Sequence, residues 1–220
     1  MAGISVTTEP TTEPVSLQEV KQYLRVEDNT DERVLRPFIQ AARMVAEEHL
    51  GRALISQTIT MFLDAYDDTN DPLWEGTRTG PYLNYYKNYV QLPKSPVTSV
   101  TSVSTFDDSD NETTMAATRY FVDNVREPAR IVLRQGETFP TALRVANAIK
   151  VVYVAGYANA HSVPEPIRMA MLQHIAFLYE QRGDMMEPQQ SMMLPPVIRM
   201  LYQPYVIMSG LGTSNLMALG

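Results

Sequence analysis

The sequence contains no cysteine among its 220 residues. Disulfides, iron–sulfur clusters, thiolate zinc sites and a cysteine nucleophile are therefore excluded. A chain without such cross-links relies on packing, as expected for a protein made in a reducing cytoplasm. Hydrophobic residues make up 45% of the chain. This fraction suits the core of one globular domain, or of one domain that carries an insertion.

Long apolar runs and basic runs are missing as well. No uninterrupted apolar stretch approaches the roughly 20 residues of a membrane helix. The start, MAGISVTTEPTTEP, lacks the basic and apolar regions of a secretory signal. We therefore expect no contact with a membrane. The formal net charge is −7, and lysine and arginine are scattered, which disfavours tight binding of nucleic acid.

The sequence also lacks a motif for catalysis or for cofactor binding. His49, His161 and His174 are far apart, and none has the spacing of a metal site or a catalytic triad. A glycine turn before a helix can bind phosphate, but Pro164 and Pro166 remove two of the N–H donors that such a site needs. We therefore predict no catalytic residue, no cofactor and no metal ligand.

The hydrophobic period changes twice along the chain. Apolar residues three and four apart predict helices over residues 16–25, 30–50, 164–182 and 196–203. Between them, residues 55–155 alternate with the period of strands. We expect an α+β fold, with a helical core of about four helices, an inserted and mainly antiparallel small β unit, and extended N- and C-terminal arms. The expected division is a flexible arm over 1–14, a single domain over 15–205 and an extended tail over 206–220.

Two segments are candidates for contact with a partner. The stretch WEGTRTGPYLNYYKNY is rich in aromatic residues, and it is either a loop folded onto the sheet or a contact surface. The helix after Pro164 is apolar around nearly its whole circumference, so part of it should face another subunit. The candidate residues for contact with another subunit or another partner are Trp74, Tyr82, Tyr85, Tyr86, Tyr89, Met169 and Phe177.

The tail, residues 204–220, has no charged side chain and many large apolar ones. Segments that stay disordered in water have the opposite composition. We therefore expect the tail to become ordered on a partner, as an extended strand added to the edge of the partner's sheet. The candidate residues for this contact are Tyr205, Val206, Ile207, Met208, Leu211, Leu216, Met217 and Leu219.

Six pieces of the sequence follow one another in a recognisable order, namely SLQEVKQYLRV, AEEHLGRALISQT, LPKSPVTSVTSV, YFVDNVREPARIVLR, IKVVYVAGYANAHSVPEPIRMAM and LPPVIRMLYQPY. Their order resembles that of the head–tail connector, or adaptor, proteins of long-tailed bacteriophages and gene-transfer particles. Together the six pieces span most of the chain from Val15 to Tyr205.

This resemblance implies a structural virion protein rather than an enzyme. Made in the host cytoplasm, it would form a ring, typically dodecameric, at the head–tail interface of the virion. Its expected partners are other copies of itself, the portal protein, to which the tail would bind, and a tail-side completion or tail terminator protein. DNA would pass through the lumen without sequence-specific binding. The alternative, from a different class, is a small helical DNA-binding packaging or regulatory protein.

Overall fold

The computed structural model describes residues 3–27, 31–65, 83–84, 89–140, 142–181 and 194–207. These residues form two compact units. The helical unit comprises the described residues between 10 and 56 and between 157 and 207. The β unit comprises those between 3 and 9 and between 57 and 156.

The helical unit contains four α-helices in the part of the chain that the structure describes. They are α1 (Leu17–Leu24), α2 (Glu32–Leu50), α3 (Glu165–Glu180) and α4 (Pro196–Tyr202). Ser16 caps α1, since its side chain accepts from the N–H of Glu19 and the Glu19 carboxylate accepts from the N–H of Ser16. Gly51 ends α2 with a φ of 65°, a left-handed conformation that glycine adopts without strain.

One hydrophobic core joins the four helices. Helix α2 contributes Leu35, Ile39 and Leu50, all of them buried. Helix α3 packs against both α2 and α4, and Tyr202 of α4 is completely buried. The other buried members of this core are Val15, Val20, Ala42, Ala46, Leu54, Ile55, Val163, Ile167, Ala170, Met171, Ile175 and Ile198.

The β unit contains two sheets whose described strand pairs are all antiparallel. The five-stranded sheet has the order β1-β2-β9-β5-β6, and the four-stranded sheet has the order β3-β4-β8-β7. The strands are β1 (Gly3–Thr8), β2 (Gln57–Leu63), β3 (Leu83–Asn84), β4 (Tyr89–Gln91), β5 (Val97–Phe106), β6 (Glu112–Thr114), β7 (Tyr120–Asp123), β8 (Arg130–Leu133) and β9 (Ile149–Ala155).

Strand β9 lies in the middle of the larger sheet, between β2 and β5. Its residues alternate between buried and partly buried positions, as expected for a central strand with one face in a core. Tyr153 is completely buried, and its hydroxyl donates to the carbonyl of Pro93 at 2.8 Å. The polar end of this large side chain is therefore satisfied inside the β unit.

The prediction of an α+β fold is confirmed. Each observed helix begins and ends within two residues of its predicted bounds. Pro37 lies inside α2, which continues through it. The β segment, expected as one small unit, is divided between two sheets.

The N-terminal segment differs from the flexible arm that the sequence suggested. Residues Gly3–Thr8 form β1, which pairs with β2 at the edge of the larger sheet. All six residues are exposed, including Ile4 and Val6. Backbone pairing therefore holds β1 in place without a buried face, which is why the composition of the segment did not predict a strand.

Candidate functional site

The described residues contain no group of histidine, aspartate and glutamate side chains that could hold a metal ion. His49 and His174 are in the helical unit, on α2 and α3, whereas His161 is exposed in a short turn. Burial lowers the pKa of His174. Burial and the nearby charge of Arg199 lower the pKa of His49. In both cases burial in the helical unit disfavours the charged form of the imidazole.

The beginning of the tail lies on its own helical unit. Tyr205 and Val206 pack, partly buried, against the helical core. The N–H of Ile207 donates to the carbonyl of Leu50 at 2.9 Å, and Nε of Arg52 donates to the carbonyl of Tyr205 at 2.6 Å. We call these contacts the tail root. They hold residues 205–207 in a defined position on the helical unit.

Gly51 lies directly beneath the tail root. A Cβ atom at this position would come within 3.6 Å of the carbonyl oxygen of Ile207, which is ordinary contact distance. The limit on substitution is instead the φ of 65°, which favours glycine. Thus the residue that ends α2 also shapes the surface on which the tail begins.

The structure therefore places three of the eight predicted tail contacts, Tyr205, Val206 and Ile207, against the protein's own helices. Their role in binding another protein stays a prediction, and these contacts leave less of each side chain for a partner. The other five predicted residues, Met208, Leu211, Leu216, Met217 and Leu219, lie outside the described residues.

Most of the aromatic stretch also lies outside the described residues, namely Trp74, Tyr82, Tyr85 and Tyr86. Tyr89 is described, in β4, and it is partly buried. The guanidinium of Arg130 lies over its ring, 5.4 Å from the centroid. For this one residue, the structure shows a side chain packed on its own sheet.

Met169 and Phe177 lie on α3, which buries one side rather than its whole circumference. The buried residues of α3 are Ile167, Ala170, Met171, His174 and Ile175. Met169 is 44% exposed on the opposite side, and Phe177 is partly buried at the margin. The helix therefore leaves one large apolar side chain, Met169, exposed on its open side, where contact with another subunit remains a prediction.

Two ion-pair networks attach residues 13–19, which include the first turn of α1, to α2 and α3. Arg43 of α2 is 3% exposed and contacts Glu13 at 2.9 Å and Glu47 at 3.2 Å. Arg168 of α3 binds Glu19, and its Nε donates to the carbonyl of Pro14 at 3.2 Å. These contacts hold residues 13–19 in a defined position.

Sequence reasoning did not identify Arg52 or the tail root. The contact between Arg52 and Tyr205 joins residues 153 positions apart, so no local pattern could indicate it.

In the described residues, no helix is long and apolar enough to cross a membrane.

Comparisons with known proteins were made for sequence and for fold. The family model described as "Phage gp6-like head-tail connector protein" matches residues 14–135. Comparison with curated proteins gave no match.

Among the solved structures that share the fold, three come from gene transfer agent (GTA) particles. The neck of an empty GTA particle, computed with C6 symmetry, has a TM-score of 0.70 at 22% identity, over 96% of this chain and 98% of that chain. A chain in the virion of a native GTA particle has a TM-score of 0.68 at 20% identity, over 95% and 97% of the two chains. The neck of a native GTA particle, computed with C12 symmetry, has a TM-score of 0.63 at 20% identity, over 94% and 98%.

Proposed function

The chain belongs to the phage gp6-like head-tail connector family, and from this premise we propose that it forms a twelve-subunit ring beneath the portal of a phage-like particle. The ring extends the DNA channel and joins the capsid to the tail. The family is structural, so the protein is a connector and not an enzyme. The observation that carries the proposal is the family match over residues 14–135, together with a fold shared with neck proteins over nearly the whole chain.

The ring is supported by the symmetry of those neck particles, which is sixfold in one and twelvefold in another. A net charge of −7 suits a conduit, because a wall that does not hold phosphates lets DNA slide past. The same charge gives no support to the alternative, a small DNA-binding packaging or regulatory protein. The partners in this proposal are other copies of the chain, the portal and a tail-side completion or terminator protein.

The tail is the proposed portal contact. The tail root holds residues 205–207 on the helical unit. In the proposal, the uncharged residues that follow start from this fixed point. In the proposal they add as a strand to a sheet of the portal, and their apolar side chains enter pockets there. Twelve such contacts in one ring would bind firmly even if each contact were weak.

The test is removal of residues 209–220. The truncated protein should stay soluble and folded, but it should no longer dock on DNA-filled heads. A full-length control with Ser209→Thr and Ser214→Thr should dock like the parent, whereas Leu216→Ser with Leu219→Ser should dock poorly. Normal docking of the truncated protein would refute the role of the tail. Sub-micromolar DNA binding by the free protein in a gel-shift assay would favour the DNA-binding alternative.

A further inference from the structure

Helix α2 carries a second apolar stripe on the side opposite its buried face. Val34, Ala41 and Val45 follow one another at spacings of seven and four residues, with Pro37 and Met44 beside them. All five are exposed, Val34 by 37%, Val45 by 40% and Met44 by 58%. At 1.5 Å per residue, the stripe from Val34 to Val45 is about 16 Å long. An apolar stripe of this length on a helix indicates a partner.

Helix α3 also has an open face, which carries one exposed large apolar side chain. Met169 is 44% exposed, and Ala176, two turns further along, is partly exposed. Both lie opposite the residues that α3 buries in the helical core. Because α2 and α3 pack against each other through their buried sides, their open faces point away from each other. The two faces therefore cannot cover one another within one subunit.

Two surfaces on opposite sides of a subunit are what a head-to-tail contact between copies requires. Such a contact joins one surface of a subunit to a different surface of the next, and it produces a ring when the rotation closes. A contact between α2 of one subunit and α2 of another would instead give a closed dimer. Because a ring is proposed for this chain, we expect α2 of one subunit to contact α3 of the next.

Two charges support the same pairing. Arg33 lies in the first turn of α2, and Glu180 is the last residue of α3. Each charge is at the end of its helix where the helix dipole disfavours it. Neither has an ion-pair partner within the described residues. An antiparallel contact between α2 of one subunit and α3 of the next would bring the two charges together.

We propose that the exposed stripe of α2 packs antiparallel on the open face of α3 in a second copy of the chain, and that Arg33 pairs with Glu180 across this contact. The inference rests on the proposed function, because it identifies the surfaces that close the ring. It adds Val34, Ala41, Met44 and Val45 to the residues considered for the subunit interface.

The chain has no cysteine, so disulfide trapping can test the pairing without background. The antiparallel register places Ala41 within about one helical turn of Met169 of the next copy. Mixing Ala41→Cys protein with Met169→Cys protein under mild oxidation should give a mixed disulfide dimer, and a chain with both changes should give a ladder of oligomers. Ala41→Cys alone should remain largely monomeric on a non-reducing gel.

Three outcomes would overturn the inference. The first is a disulfide dimer formed mainly by Ala41→Cys alone, which would show that α2 packs on α2. The second is slow alkylation of the thiol introduced by Ala41→Cys in dilute monomer, which would show that another segment of the same chain covers the stripe. The third is the absence of a mixed dimer. If the parent forms rings under the same conditions, that absence refutes only this interface, whereas a parent that also forms no ring on DNA-filled heads would refute the ring as well.

Charge reversal gives an independent readout. Arg33→Glu and Glu180→Arg should each weaken self-association roughly 3- to 10-fold, and the two changes together should restore it. Neither change should lower the melting temperature, because each places at its helix end the charge that the dipole favours. A loss of assembly that the double variant does not reverse would contradict the pairing.

Discussion

The buried ion pair of α2 allows the stability of the helical unit to be tested quantitatively. Arg43 is 3% exposed, and its Nη1 lies 3.2 Å from Oε2 of Glu47. The other oxygen of Glu47, Oε1, accepts the N–H of Leu54 at 2.8 Å, and Leu54 is itself completely buried. Glu47→Ala would therefore remove two contacts in the interior of the unit at once.

The expected cost follows from these contacts. Leaving the N–H of Leu54 unsatisfied costs about 1–3 kcal/mol. Arg43 retains Glu13 at 2.9 Å, so its loss is smaller than the roughly 3–5 kcal/mol of a completely broken buried pair. We expect Glu47→Ala to lower the free energy of unfolding by about 2–4 kcal/mol. Glu47→Gln keeps an acceptor for Leu54 and should cost about 1 kcal/mol.

The assay is urea unfolding followed by far-ultraviolet circular dichroism, because all the described α-helices are in the helical unit. The midpoint and the slope give the free energy of unfolding for each variant. Glu13→Ala is the matched control, since the Glu13 side chain is 32% exposed and should contribute less. A parental midpoint for Glu47→Ala, or equal losses for the Ala and Gln variants, would refute the reasoning.

Two further predictions concern His174 and Arg52. Burial lowers the pKa of His174, so the unfolded chain binds more protons and stability should fall as pH drops through the unfolded value of about 6.5. Urea titrations between about pH 7 and pH 5 should show a shallower fall for His174→Gln, and equal falls would count against this account. Arg52→Met removes the donor to the carbonyl of Tyr205, so the amide of Ile207 should exchange its hydrogen faster, as measured by mass spectrometry. An unchanged rate would mean that Arg52 does not stabilise the tail root.

The helices were predictable because each combines a local start or stop signal with apolar residues at helical spacing. Ser16 and Glu19 identify the start of α1, and Gly51 marks the end of α2. The partners of the strands were not predictable in this way. Alternation of apolar residues identifies a strand such as β9, but it does not show which of the two sheets a strand joins, because register depends on distant residues.

Sequence patterns also do not identify the polar residues that lie on buried helix faces. Arg43 and Glu47 are charged, yet both face the interior of the helical unit, where they form an ion pair. The pattern also does not identify the exposed stripe of α2, because its residues are apolar and would be expected in the core. The helical spacing of Val34 and Val45 favours the core for both, and only the structure separates the two apolar sides of this helix.

The features proposed for assembly converge on α2. Its exposed stripe is the proposed contact with the next subunit, and the tail root lies at its C-terminal end, on Leu50 and Arg52. A subunit held in the ring through α2 would therefore also have the start of its tail fixed relative to the ring. Each tail then begins at the same position in every subunit, and binding of one tail raises the effective concentration of the others at the portal. In this arrangement the contact that closes the ring also organises the contact that binds it to the head.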